Sequence, residues 1–194
     1  ITFSGITFEG TCNDGANLTD CESVVFDNCE FRNIGRRAMN ITSGYNCGIK
    51  NSYIHDIGKG GVFFEDGDFI NLTHSNSFVD NCHIERFGIA SLTYTPAVKI
   101  NGVGNRVSHC EINNGPHLAI QYAGIDNVVE YNEIYDVLQY TNDAGVIYGG
   151  RSWTNRVVIR YNYVHDCKGV NLREDDVWAT QGVYMDDGLV DTDM

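Results

Sequence analysis

Apolar and polar residues alternate along this chain in short runs, without the three-to-four spacing of a helix, and the runs recur in a constant order. Six copies of one phrase align: VVFDNCEF (24–31), GIKNSYI (48–54), FVDNCHI (78–84), RVSHCEI (106–112), VVEYNEI (128–134) and VVIRYNYV (157–164). Each has a strand-like run, then Asn, His or Tyr, then a small residue, then an apolar residue two places on. The small residues are Cys29, Ser52, Cys82, Cys110, Asn132 and Asn162, at intervals of 23, 30, 28, 22 and 30. A loose repeat of this length with no helical pattern between copies predicts the stacked coils of a parallel β-solenoid.

A second set of alternating runs lies between the copies: AMNIT (38–42), GVFFED (61–66), AVKING (97–102), LAIQYAG (118–124), AGVIYGG (144–150) and GVYMDDG (182–188). Strict alternation turns Val62, Phe64, Val98, Ile100, Ile120, Tyr122, Val146, Tyr148, Val183 and Met185 inward. It leaves Asn40, Phe63, Lys99, Gln121, Ile147 and Tyr184 in one outward column. Thr42, Glu65, Asn101, Ala123, Gly149 and Asp186 form the next. Irregular coils, with the right-handed bias of parallel crossovers, predict an all-β, right-handed, single-stranded parallel β-helix of about six to seven coils. The whole of 1–194 reads as one domain. It opens mid-pattern and closes on an acidic tail, as a segment of a longer solenoid would. Insertions are expected at 66–77, at 138–143 with 149–156, and at 168–181, and insertions on a rigid sheet are where function concentrates.

Composition narrows the partners. With 13 basic against 26 acidic residues the net charge is −13, which disfavours nucleic acid, whose phosphates need clustered Lys and Arg. No apolar run approaches the roughly 18 residues of a membrane-spanning helix. Glycine is frequent (21) and proline scarce (2), as tight turns between many strands require. Cys29, Cys82 and Cys110 fill the small slot of the repeat and read as buried thiols, and Cys167 falls at a core position. Cys12 and Cys21 flank the polar loop NDGANLTD outside the repeat and are candidates for a disulfide, although spacing alone does not settle connectivity. Asn17, Asn40 and Asn71 head glycosylation triplets. The acids of EDGD (65–68) superficially resemble a calcium cluster but lack EF-hand spacing.

Nearly the whole chain resembles right-handed parallel β-helix proteins of carbohydrate-degrading systems, and is similar to glycoside hydrolase family 141. The resemblance rests on FSGITFEGT (3–11), GDFINLT (67–73), PAVKINGVGNRVSH (96–109), GPHLAIQYAG (115–124), VVEYNEIYDV (128–137), NDAGVIYGGRSWT (142–154), IRYNYVHD (159–166) and GVYMDDG (182–188). Strand repeats are common to all β-helices, whereas PH, DAGxIYxGRxWT and GxYxDDG in this order are more specific. Members of that family act on fucosyl and xylosyl linkages, so the resemblance implies a secreted, glycan-binding protein and assigns Asp143, Asp186 and Asp187 to catalysis. Departures occur at Ile125, Asn127, Ser152 and Val157, where the family carries other residues.

A glycosidase needs two carboxylates, one to protonate the leaving oxygen and one as base or nucleophile. Aligning HLAI with DAGV puts Asp143 one coil from His117, as a partner that would orient it, and Asp186 beside Gly149. Arg151 and Trp153 are candidates for a sugar subsite, and Lys99, Asn101, Gln121 and Tyr184 extend the same groove. No cofactor is required on this reading. Two rivals remain: a calcium-dependent polysaccharide lyase with Lys99 or Arg151 as base, and a non-catalytic adhesive solenoid stacking copies through open terminal rungs.

Overall fold

A computed structural model describes residues 1–150, 154–170, 180–187 and 192–193. Every coil lays down three short strands, each hydrogen-bonded in parallel to its counterparts in the coils before and after. Sheet A collects Thr2–Ser4, Val25–Asp27, Gly48–Lys50, Phe78–Asp80, Arg106–Ser108, Val128–Glu130, Val157–Arg160 and Thr192–Asp193. Sheet B collects Thr7–Glu9, Glu30–Ile34, Tyr53–Ile57, His83–Phe87, Glu111–Asn113, Glu133–Tyr135 and Tyr163–His165. Sheet C runs from Ala16–Thr19 through Met39–Thr42, Val62–Glu65, Val98–Val103, Ile120–Ile125 and Ala144–Gly150 to Thr180–Asp186. Among the described residues there is no helix.

The repeated phrase is the corner between sheets A and B. The Asn, His or Tyr before the small slot takes a left-handed backbone in all six copies: Asn28, Asn51, Asn81, His109, Tyr131 and Tyr161 have φ between 50° and 56°. Asn tolerates that region because its short amide bonds locally. His109, Tyr131 and Tyr161 stack instead, with centroids 5.3 and 5.0 Å apart. The small slot then turns inward, and Cys29, Cys82 and Cys110 are buried free thiols, as expected. Cys167 is half-buried against the same core. Toward the C-terminus the slot changes chemistry. Asn132 Oδ1 accepts from the Cys110 N–H at 2.9 Å and Asn162 Oδ1 from the Asn132 N–H at 3.1 Å, so each amide satisfies a backbone donor of the coil below.

A second slot, at the corner from sheet C to sheet A, carries the same five intervals: Val24, Cys47, Ser77, Asn105, Asn127 and Val157. Here Asn127, fully buried, accepts from the Asn105 N–H (2.8 Å) and donates to the carbonyls of Gly102 (3.0 Å) and Ala123 (2.9 Å). Between the sheets the interior is a stack of like on like, with Phe31, Ile54, Ile84, Ile112 and Ile134 in register and fully buried. Burying each such side chain contributes about 1.5–3 kcal/mol.

The expected Cys12–Cys21 disulfide is absent: both are free thiols. The strand Ala16–Thr19 separates them, and four extended residues span about 13 Å, whereas a disulfide needs Cα atoms within about 7 Å. Cys12 lies at the corner against Gly35, and Cys21 Sγ donates to the Thr19 carbonyl at 3.2 Å. The EDGD acids also part company. Glu65 faces solvent, Asp66 is buried, and Asp68 Oδ1 caps its own loop at the Ile70 and Asn71 N–H groups (2.8 and 3.1 Å).

A candidate active site on the outer face of sheet C

Register along sheet C decides which side chains share its outer face. One column reads Asn17, Asn40, Phe63, Lys99 and Gln121, as alternation predicts. At the next coil Ile120 pairs with Ile147 and Gln121 with Tyr148, so the column continues through Tyr148 to Tyr184. The expected assignment of Ile147 outward and Tyr148 inward is therefore off by one residue. Ile147 is fully buried, and Tyr148 stands on the outer side. All seven residues of Ala144–Gly150 are buried, so this strand carries no polar alternation from which its facing can be read. The same slip puts Asp186 opposite Gly150 rather than Gly149.

This correction puts the Tyr148 ring beside that of Tyr184, and each phenol bonds a different carboxylate. Tyr148 donates its hydroxyl to Asp186 Oδ2 at 2.9 Å, and Tyr184 donates to Asp143 Oδ1 at 3.3 Å. The two phenol rings meet edge to face, centroids 5.8 Å apart, so two acids 43 residues apart in sequence are tied through one aromatic pair. Gly150 makes room for this: a Cβ there would lie 2.7 Å from the Tyr148 hydroxyl and 3.1 Å from Asp186 Cβ. Gly145 does the same for Tyr184, whose Cβ would be 2.5 Å away. Burial, reinforced by the negative charges of Asp186 and Asp143, raises the Tyr184 phenol above its ordinary value and keeps its proton in place for donation. Asp143 and Asp187 both take left-handed backbones (φ 52° and 40°) and are exposed, at the entry and exit of the two strands.

His117 does not orient Asp143. It is buried, 5 % exposed, with its ring 5.1 Å from that of Tyr94 and its Nδ1 without a hydrogen-bond partner among the described residues. Burial pushes it down to about 4, so it is a neutral imidazole at neutral pH. Lys99 and Gln121 are half-buried and Asn101 is exposed, all on the outer face. Lys99 Nζ lies 5.8 Å from the Phe63 ring, which Arg37 approaches from the other side of the column at 5.3 Å. Arg151 and Trp153 lie outside the described residues. Of the glycosylation candidates Asn17 and Asn71 are exposed, whereas Asn40 is half-buried, accepts from Arg37 at 2.7 Å and donates to Thr42 at 3.2 Å. Tyr148 is the member of the site that sequence reading missed, and the signal for it was the GG that follows, which leaves space above an outward ring. Among the described residues no three His, Cys, Asp or Glu side chains are grouped to hold a metal ion.

Comparison with known proteins agrees with the architecture. A glycoside hydrolase structure superimposes with a TM-score of 0.60 at 13% identity, over 91% of this chain and 37% of that one. The chain thus spans little more than a third of that enzyme. An alginate lyase from Paenibacillus sp. str. FPU-7 superimposes with a TM-score of 0.52 at 11% identity, over 97% of this chain and 80% of the lyase. No curated protein matches the sequence. The model of the right-handed β-helix region matches residues 1–99. With three parallel sheets wound coil upon coil and half the chain covered by that model, the protein belongs to the right-handed β-helix family.

Proposed function

We propose that the outer face of sheet C binds a polysaccharide and hydrolyses a glycosidic bond with Asp143 and Asp186. The observation that carries this reading is the Asp186–Tyr148–Tyr184–Asp143 chain, which holds two carboxylates from successive coils on one outward face. One carboxyl protonates the departing oxygen while the other acts as nucleophile or base. The phenols fix the carboxylates' orientation, and Asp187, one residue past the strand, is the alternative partner to Asp186. Phe63, Lys99, Asn101 and Gln121 line the approach along the solenoid axis, suited to an extended chain. Likeness of fold to a glycoside hydrolase supports a carbohydrate substrate. We place the protein outside the cell, with Asn17 and Asn71 as its accessible glycosylation triplets; a mass shift on glycosidase treatment of the native protein tests this.

The test is hydrolysis of a panel of neutral polysaccharides, read as reducing ends. Asp143→Asn and Asp186→Asn each are expected to lower the rate at least 100-fold, the scale of losing a general acid or base. Turnover that survives both substitutions refutes the assignment. The lyase reading draws on the likeness to an alginate lyase and on the outward Lys99. Unsaturated ends in place of reducing ends, lost on Lys99→Ala, would select it.

A further inference from the structure

The insertion at 66–77 serves neither carboxylate, yet it is built with care. Asp68 and Thr73 exchange backbone hydrogen bonds at 3.0 and 3.1 Å, and the Ser75 N–H bonds to the Val103 carbonyl at 2.8 Å. These set His74 directly over Gly104. A Cβ at Gly104 would lie 2.3 Å from the imidazole, and its φ of +71° is already a glycine conformation. His74 Nε2 then sits 2.9 Å from Asp126 Oδ2, and Arg156 grips the same carboxylate at 2.6 and 2.7 Å. Across from it, Asp80 Oδ1 accepts from Ser108 at 2.8 Å and lies 3.0 Å from His109 Nδ1. Between these walls is an open cleft of about 520 Å³ on the outer face of sheet A, with Phe78, Arg106 and Val128 in register along its floor. The Phe78 ring lies over Gly48, where a Cβ would approach it to 3.0 Å. That volume falls in the range of small-ligand sites.

Charge selects the ligand. Arg156 and His74 both bond Asp126, His109 bonds Asp80, and Arg106 shares Glu130 with Arg160, so each carboxylate beside the cleft already has a partner. A uronate or phosphate would have to displace a carboxylate from its cation, and a divalent cation would have to displace an arginine or histidine. A neutral hydroxylated ring meets neither obstacle. Carboxylate and imidazole edges exchange hydrogen bonds with hydroxyls, and Phe78 and Val128 offer apolar surface to the ring's C–H groups.

We propose that this cleft is a second, non-catalytic site for a neutral sugar unit, placed on a different sheet from the Asp143–Asp186 pair. The inference rests on the glycan reading above and adds a place where a polymer is held while the outer face of sheet C works, since two linked weak sites bind far more tightly than either alone. The full chain is run in native gels containing neutral polysaccharides (xylan, mannan, galactan, xyloglucan) or anionic ones (alginate, polygalacturonate). The expected result is retardation by at least one neutral polymer, weakened at least ten-fold by His74→Ala and by Asp80→Ala. Both cleft variants alter side chains at the surface of the cleft, and circular dichroism checks their fold. Retardation that ignores both cleft substitutions, retardation by anionic polymers alone, or none on any polymer overturns the proposal. Turnover without retardation would sink this site alone; absence of both would sink the glycan reading with it.

Discussion

Replacing Asn127 by leucine keeps the branching and heavy-atom count of the side chain and removes three hydrogen bonds at the corner from sheet C to sheet A. The amide is fully buried, so no water can take over. Its loss orphans the Asn105 N–H, held at 2.8 Å, and deprives the Gly102 and Ala123 carbonyls of a donor at 3.0 and 2.9 Å. A buried donor left without a partner costs about 1–3 kcal/mol and each lost carbonyl partner about 1 kcal/mol, so the expected destabilisation is about 3–5 kcal/mol. Against the roughly 5–15 kcal/mol that hold a domain together, this is a large fraction. Urea unfolding followed by far-ultraviolet circular dichroism measures it, with the change taken from the midpoint at constant slope. The equivalent substitution at Asn17, exposed on the outer face, serves as the control, expected to change stability by less than about 0.5 kcal/mol. A loss below about 1 kcal/mol at Asn127 would show that the ladder does not hold the coils together, and the argument from buried amides would fail.

Asp66 predicts a pH dependence. Its carboxyl is 3 % exposed, and burial raises it above its ordinary value. Ser75 Oγ touches Asp66 Oδ1 at 3.1 Å, Asn105 Oδ1 at 2.7 Å and the Val103 carbonyl at 3.2 Å with only one proton to give, and a protonated Asp66 supplies the second. A raised folded value means that stability is complete below the ordinary carboxyl range and is lost as pH climbs through the folded value. Asp66→Asn should therefore raise the melting temperature more at pH 7 than at pH 4; an equal shift at both would exclude an ionising Asp66. Tyr148→Phe removes the donor to Asp186 and should lower kcat about ten-fold while leaving the fold intact, read by kinetics on whichever polymer the protein cleaves. Gly104→Ala should destabilise by more than 1 kcal/mol, through both its positive φ and the His74 ring, and a neutral effect in thermal unfolding would refute the packing of the insertion.

Much of this molecule was legible before any coordinates. Strict alternation in LAIQYAG and AVKING, and the recurrence of the small slot, are local properties of strands with one face in the core, so residue order alone dictated the solenoid, three of its four buried cysteines and the outward column from Asn40 to Gln121. The same reasoning stopped at Ala144–Gly150. A strand buried on both faces has no polar face to mark its parity, and the insertion before it removes the count that carries register from coil to coil. Only pairing with the neighbouring strands decided that Tyr148, not Ile147, faces outward, and with it the link between Asp143 and Asp186. The disulfide at Cys12 and Cys21 failed for a related reason: nearness in sequence says nothing once an extended strand lies between. His74 over Gly104, 30 residues apart, likewise came only from the fold. Sequence determined what repeats, because repetition is local; tertiary structure decided what meets, because contact between coils depends on how many residues each insertion adds.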